Sequence, residues 1–148
     1  MKKIFLNLVI LFVLFGNNFF VSTKPRSVFL PKQQKTNIEC LEKIVYFEAG
    51  NQSLVGKVAV AYVVYNRARS RQFPNDYCSV INQKNQFTNI KRKIRYEKNY
   101  LESECVANSF ILLPDPTKGA KYFHNKHTGN DWMKGRKRGI VIGDHLFY

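Results

Sequence analysis

Seven consecutive apolar residues, Val58-Ala59-Val60-Ala61-Tyr62-Val63-Val64, constrain this chain more than any other feature. Ser53 stands where a helix cap belongs, and Phe73-Pro74 follows the point where the helix must stop. The run is therefore the centre of a helix from Leu54 to about Arg69. A helix apolar on most faces belongs inside a core, so the rest of the chain must surround it. The preceding segment supplies one neighbour. Thr36-x-x-Glu39 is a capping-box pattern, and a helix is expected from there to Ala49, ended by Gly50. A short helix near Tyr77 to Asn82 and a long one over Lys98 to Leu113, stopped by Pro114, follow. Asp115-Pro116-Thr117-Lys118-Gly119 is turn chemistry. Ala120 to His124 and Ile140 to Ile142 are short and strand-like. Helices first and a little sheet later indicate an α+β fold, mainly a helical lobe with a small β portion.

The 148 residues divide unevenly. Lys2 and Lys3 precede an apolar run, Ile4 to Phe15, broken only by Asn7. That order of charge and apolarity suits export, and the run is short for a spanning helix. Residues 1–23 read as a signal peptide or a membrane anchor, 24–35 as a linker with Pro25 and Pro31, and 36–148 as one domain. Net charge is +14, of which only Lys2 and Lys3 precede the run. An exported basic domain meets anionic wall polymers and lipid surfaces. The clusters are Lys91, Arg92, Lys93, Arg95 and Lys98, and Arg136-Lys137-Arg138. No nucleic-acid-binding module accompanies them, so nucleic acid is not the expected partner. Membrane contact is expected only through an uncleaved N-terminal anchor. Cys40, Cys78 and Cys105 allow three pairings with one thiol left over. No cysteine spacing suggests zinc, and His124 with His127 alone is a weak pair, so no metal or cofactor is expected.

One residue carries chemistry. Leu41, Ile44, Val45 and Glu48 share the i, i+3, i+4, i+7 spacing of one helix face, whereas Glu39 and Glu42 point elsewhere. A carboxyl in line with apolar residues is costly to ionise, so its pKa rises toward the value a general acid needs. Position alone also suits a carboxylate turned out to solvent at the helix end, or one paired with an arginine.

Tyr46-Phe47-Glu48-Ala49, Val58-Ala59-Val60-Ala61, Asn66-Arg67, Phe73-Pro74 and Cys78 resemble the SleB-type cell wall hydrolase family, which includes spore cortex-lytic enzymes. The likeness continues through Gln86-Phe87-Thr88, Asp115-Pro116-Thr117, Gly119-Ala120, Phe123-His124 and Trp132 to Ile142-Gly143-Asp144-His145-Leu146-Phe147-Tyr148. It covers residues 40–148. The resemblance implies a lysozyme-like arrangement and cleavage of peptidoglycan strands between muramic acid and glucosamine, often by lytic transglycosylation. It places the family's essential glutamate on Glu48. A true muramidase-type hydrolase and a catalytically silent wall-binding protein are the alternatives.

Two departures from the family pattern stand out. Gly50-Asn51-Gln52 replaces the usual Arg-Gly-Glu, so a second glutamate is missing. Asn85-Gln86-Phe87-Thr88-Asn89 replaces Cys-Gln-Phe-Ser-Trp, so a cysteine and a tryptophan are missing. Gln86 and Thr88 are candidates to hydrogen-bond sugar or to orient Glu48. Tyr122, Phe123 and His124 are candidates to line the cleft, although core packing is the more common role of a strand phenylalanine. Asp115 is the one further acid that the resemblance brings near, and Asp144-His145 reads as structural.

Overall fold

The computed structural model describes residues 31–87, 92–128 and 139–148. Its helices are α1 (Lys32–Ala49), α2 (Leu54–Ala68), α3 (Tyr77–Ile81) and α4 (Glu97–Ser109), the last tightening into a 3₁₀ turn, Phe110–Leu112. Three short strands follow: β1 (Phe123–Asn125), β2 (Ile140–Ile142) and β3 (His145–Phe147). This is the mainly helical α+β architecture that the order of patterns predicts. Among the described residues no helix is long and apolar enough to cross a membrane. Ile4 to Phe15, Trp132 and Arg136-Lys137-Arg138 lie outside the described residues, as do Thr88 and Lys91.

Helix α2 is the hub. Ser53 Oγ accepts the Gly56 amide and caps it, and every residue from Val58 to Val64 is buried. Helices α1, α3 and α4 pack around it, presenting Leu41, Ile44, Val45, Ala49, Val80, Ile81, Val106 and Ala107 to one core. Burying each large apolar side chain contributes about 1.5–3 kcal/mol. Helix α1 begins at Lys32 rather than at Thr36. Lys32, Gln33, Gln34 and Lys35 are good helix formers, and Pro31 supplies the start. Thr36 does not cap; its Oγ1 donates back to the Lys32 carbonyl at 3.0 Å.

Cys40 and Cys78 form a disulfide between α1 and α3, and Cys105 is a free, exposed thiol. The sheet order is β1-β3-β2, all antiparallel. The central strand is β3, a segment whose sequence shows no strand pattern of its own. His145 and Phe147 point into the core while Leu146 is half-buried. Phe123 sits directly opposite Phe147, and their rings stack at 5.5 Å.

Candidate active site

Glu48 lies in the last turn of α1, one turn beyond Ile44 and Val45, both fully buried. The carboxyl is half-buried, and no hydrogen bond or ion pair among the described residues holds it. Burial alone pushes its pKa above the ordinary 4.5. A carboxyl raised by desolvation keeps its proton to a higher pH than a free glutamate does, which is the direction a general acid requires.

The helix end is tied to the sheet four residues later. Gln52 Nε2 donates to the Asp144 carboxylate at 3.1 Å, and the Asp144 amide donates to Gln52 Oε1 at 3.1 Å. The β2–β3 turn fits because Gly143 has φ +58°, and a Cβ there would come within 2.3 Å of Gln52 Oε1. Where the resemblance implies a second glutamate, this chain thus has at Gln52 an amide that donates and accepts at once. Asp144 is kept below the ordinary carboxylate value by the Gln52 bond first, helped by Lys126 at 3.5 Å. Its carboxylate serves Gln52 and Lys126, so Asp144-His145 forms no relay. The His145 imidazole is buried, and burial lowers its pKa.

Asp115 is a turn former. Oδ1 accepts from the Thr117 amide at 2.8 Å and from Thr117 Oγ1 at 2.7 Å. Oδ2 accepts from the Gly119 amide at 2.9 Å and Asn66 Nδ2 at 3.0 Å. Burial works to raise this carboxyl, and those donors outweigh it, leaving the pKa below the ordinary value. A carboxylate so engaged is a poor proton donor.

The structure gathers Tyr122, Phe123 and His124 on and beside β1, all half-buried. Tyr122 stacks on Tyr148 at 5.7 Å, Phe123 packs on His145 at 5.1 Å, and His124 lies edge-on to Tyr148 at 5.8 Å. Phe87 lies 6.4 Å from Phe123, which brings the turn containing Gln86 to the same wall. Gln86 itself is exposed. Thr88 lies outside the described residues.

The surroundings of two residues escaped the sequence reading. Arg67, only 4% exposed, sits among Phe73, Phe87 and Tyr122, with its guanidinium carbon 5.2, 5.4 and 5.3 Å from their ring centres. Its Nε donates to the Lys121 carbonyl at 2.6 Å. Burial lowers its pKa, against the opposing influence of Tyr122 and Tyr148. An arginine three residues past a wholly apolar helix centre was the legible signal. Glu42 is a correction: it is buried, accepts from Tyr100 Oη at 3.2 Å and Asn108 Nδ2 at 3.4 Å, and faces α4. Helix α1 is covered on two sides, so pointing away from the Glu48 stripe does not mean pointing to water. Among the described residues no group of three or more His, Cys, Asp or Glu comes together to hold a metal.

A cavity of about 530 Å³ adjoins the end of α1, lined by Tyr46, Phe47, Gly50 and Asn51 and by Arg92, Lys93, Arg95, Tyr96 and Asn99. Glu48 is not among its lining residues, although Phe47 and Gly50 flank it in sequence.

Comparison with known proteins matches this arrangement. The pattern of the Cell Wall Hydrolase family fits residues 51–148, beginning three residues after Glu48. A spore cortex-lytic enzyme of Bacillus subtilis (strain 168) is 34% identical over 113 residues, covering 75% of this chain and 37% of that protein. The chain therefore spans about a third of the length of that curated relative. The crystal structure of the catalytic domain of the Bacillus cereus SleB protein superposes with a TM-score of 0.66 at 28% identity, covering 84% of this chain and 98% of that one. The catalytic domain of the germination-specific lytic transglycosylase SleB from Bacillus anthracis gives 0.65 at 28% identity, covering 80% and 98%. A family pattern over two thirds of its length and a helical lobe shared with those catalytic domains show that this chain belongs to the cell wall hydrolase family.

Proposed function

We propose that this protein cleaves the glycan strand of peptidoglycan between muramic acid and glucosamine as a lytic transglycosylase, with Glu48 as its single catalytic acid and base. The observation that carries the reading is the Glu48 carboxyl itself: raised in pKa by burial alone, and in line with a fully apolar face. The engagement of Asp115 in its turn and the replacement of the second glutamate by Gln52 support a one-carboxyl route. A relative named as a lytic transglycosylase supports it as well.

In this route the protonated Glu48 carboxyl gives its proton to the glycosidic oxygen as the bond from C1 of muramic acid breaks. Glucosamine leaves as the free 4-hydroxyl. The Glu48 carboxylate then takes the proton of the muramic 6-hydroxyl, whose oxygen closes onto C1. The products are a 1,6-anhydro end and a regenerated acid, with no water consumed. A hydrolase with two carboxylates would instead activate water. Tyr122, Phe123 and His124 form the wall against which the apolar faces of the sugars lie, and Gln86 and Thr88 bond sugar hydroxyls or steer Glu48. The protein works outside the cytoplasm, delivered by its N-terminal segment and held near the wall by its +14 charge.

Mass spectrometry of peptidoglycan digested by the purified protein tests this. Anhydromuramic ends, one water lighter than hydrolysis products, are expected. Reducing muramic ends would replace the transglycosylase by a hydrolase. Intact strands under conditions of tight sacculus binding would leave a wall-binding protein.

A further inference from the structure

Arg67 is a cation in a place where packing alone calls for an apolar side chain. It is buried, its Nη1 has no hydrogen-bond partner, and none of the ion pairs among the described residues includes it. Burying a charge without a carboxylate beside it is costly. An unbranched apolar side chain of similar length would fill the space without that penalty, so stability does not account for an arginine here.

What the guanidinium does is join segments that are far apart in sequence. The three rings around it come from the turn after α2 (Phe73), the turn after α3 (Phe87) and the entry to β1 (Tyr122). A cation over a ring face is attracted by the ring's negative quadrupole. Nε meanwhile donates to the Lys121 carbonyl, so the backbone beside Tyr122 is held together with its ring. Neighbours on and just after α2 grip the same stretch. Asn66 Nδ2 donates to the Ala120 carbonyl at 3.1 Å, and Lys121 Nζ donates to Ser70 Oγ at 2.9 Å. Tyr122 and Tyr148 exchange backbone bonds at 3.0 Å in both directions. Without the cation the strands stay paired, and what is lost is the contact that sets the Tyr122 and Phe87 rings against α2 and against each other.

We infer that Arg67 is a positioning residue for glycan binding, which holds Tyr122 and the Gln86-Phe87 turn at the spacing against which a sugar strand is laid. The inference rests on the reading of Tyr122 and its neighbours as the sugar-facing wall. Arg67 itself is sealed behind the rings and acts through them.

The test measures affinity for soluble glycan strands released from purified sacculi, in the Glu48→Gln protein so that cleavage does not obscure binding. Arg67→Met fills the same space without charge and should weaken binding about tenfold in protein that still melts cooperatively. Arg67→Lys keeps a charge among the rings but not the planar fork, and should recover part of that loss. Tyr122→Ala, which removes the wall residue, should weaken binding as well. The double variant should bind hardly worse than the weaker single one, because residues that act through each other are non-additive. Should Arg67→Met fail to fold, the same cycle is run with Arg67→Lys, for which a roughly threefold loss and the same non-additivity are expected. Losses that multiply in the double variant overturn the inference. So does a folded Arg67 variant of parental affinity when Tyr122→Ala binds weakly, which leaves Arg67 a part of the fold alone. Parental affinity in Tyr122→Ala is a separate failure: it removes the wall itself, and the inference with it.

Discussion

Glu48 and Glu42 show how the same side chain, six residues apart on one helix, is put to different use by what covers it. Glu48 has burial and, among the described residues, no partner, so its neutral form is favoured. A group whose folded pKa is raised contributes stability that is complete below its unfolded value and is lost as pH rises through the folded one. Glu48→Gln removes that loss. It should match wild type in stability below pH 4.5, become increasingly more stable above it, and show almost no lysis. Acid–base catalysis by one positioned group is typically worth about 10²–10⁴-fold. Chemical melts across pH combined with sacculus turbidity check both parts, and a folded Glu48→Gln protein with full lysis would remove Glu48 from the mechanism. Glu42 has burial with two donors. Glu42→Ala removes the acceptor of Tyr100 Oη, while Asn108 Nδ2 keeps the Glu104 carbonyl at 2.8 Å, and should destabilise by about 1–3 kcal/mol. Lysis per folded molecule should be retained, because the loss is at the α1–α4 interface. Glu39, exposed on the same helix, should tolerate glutamine without measurable effect in either assay.

At the scale of elements two ties stand out, one between the helical lobe and the sheet and one within the lobe. The Gln52–Asp144 pair joins the end of α1 to the β2–β3 turn and depends on Gly143. Gly143→Ala meets both a positive φ and the Gln52 carboxamide, whereas Gly119→Ala meets a positive φ of 88° and open space. Both should lose about 1–2 kcal/mol to the left-handed backbone. Only Gly143→Ala should lose more, together with part of the lysis. Equal melting temperatures for the two variants would show that the Gln52 tie contributes nothing. The second tie is the Cys40–Cys78 disulfide, which closes a loop with a separation of 38 residues around the first half of the core. Loop-closure entropy puts its contribution at about 3–4 kcal/mol. Replacing both cysteines by serine should lower the unfolding free energy by that amount in denaturant titrations, with Cys105 unaffected.

The whole molecule is a small basic body whose charge acts at longer range than any one contact. Exposed cations attract anionic polymer through a field that salt screens over about 10 Å at 0.1 M. Pelleting with purified sacculi should therefore weaken steadily as salt rises from 0.05 to about 0.5 M, while cleavage of short soluble strands changes far less. Equal salt dependence of the two would place the attraction at the reacting bond instead. The same reading puts the domain outside the cytoplasm, and fractionation that finds full-length protein only in the cytosol would contradict it.

Helix order, the central position of α2 and the stripe that ends in Glu48 were all legible in the sequence, because helical periodicity and capping are local and each turn reports its own buried face. The strand-like look of Phe123 and of Ile140 to Ile142 was legible for the same reason. The partner of each cysteine, the burial of Glu42, the central place of β3 and the bond from Asn66 to the Asp115 turn were not. Each depends on which distant segment arrives opposite, and spacing along the chain carries no record of that. Arg67 among three aromatic rings and the cations gathered by the Tyr46 hydroxyl belong to the same class. The first looks in sequence like the polar end of a helix and the second like a solvated charge run. The residue types were set by the sequence; the burial of Glu48, the aromatic surround of Arg67 and the hydrogen bonds to Tyr46 exist only once α1, α4 and the sheet are packed together.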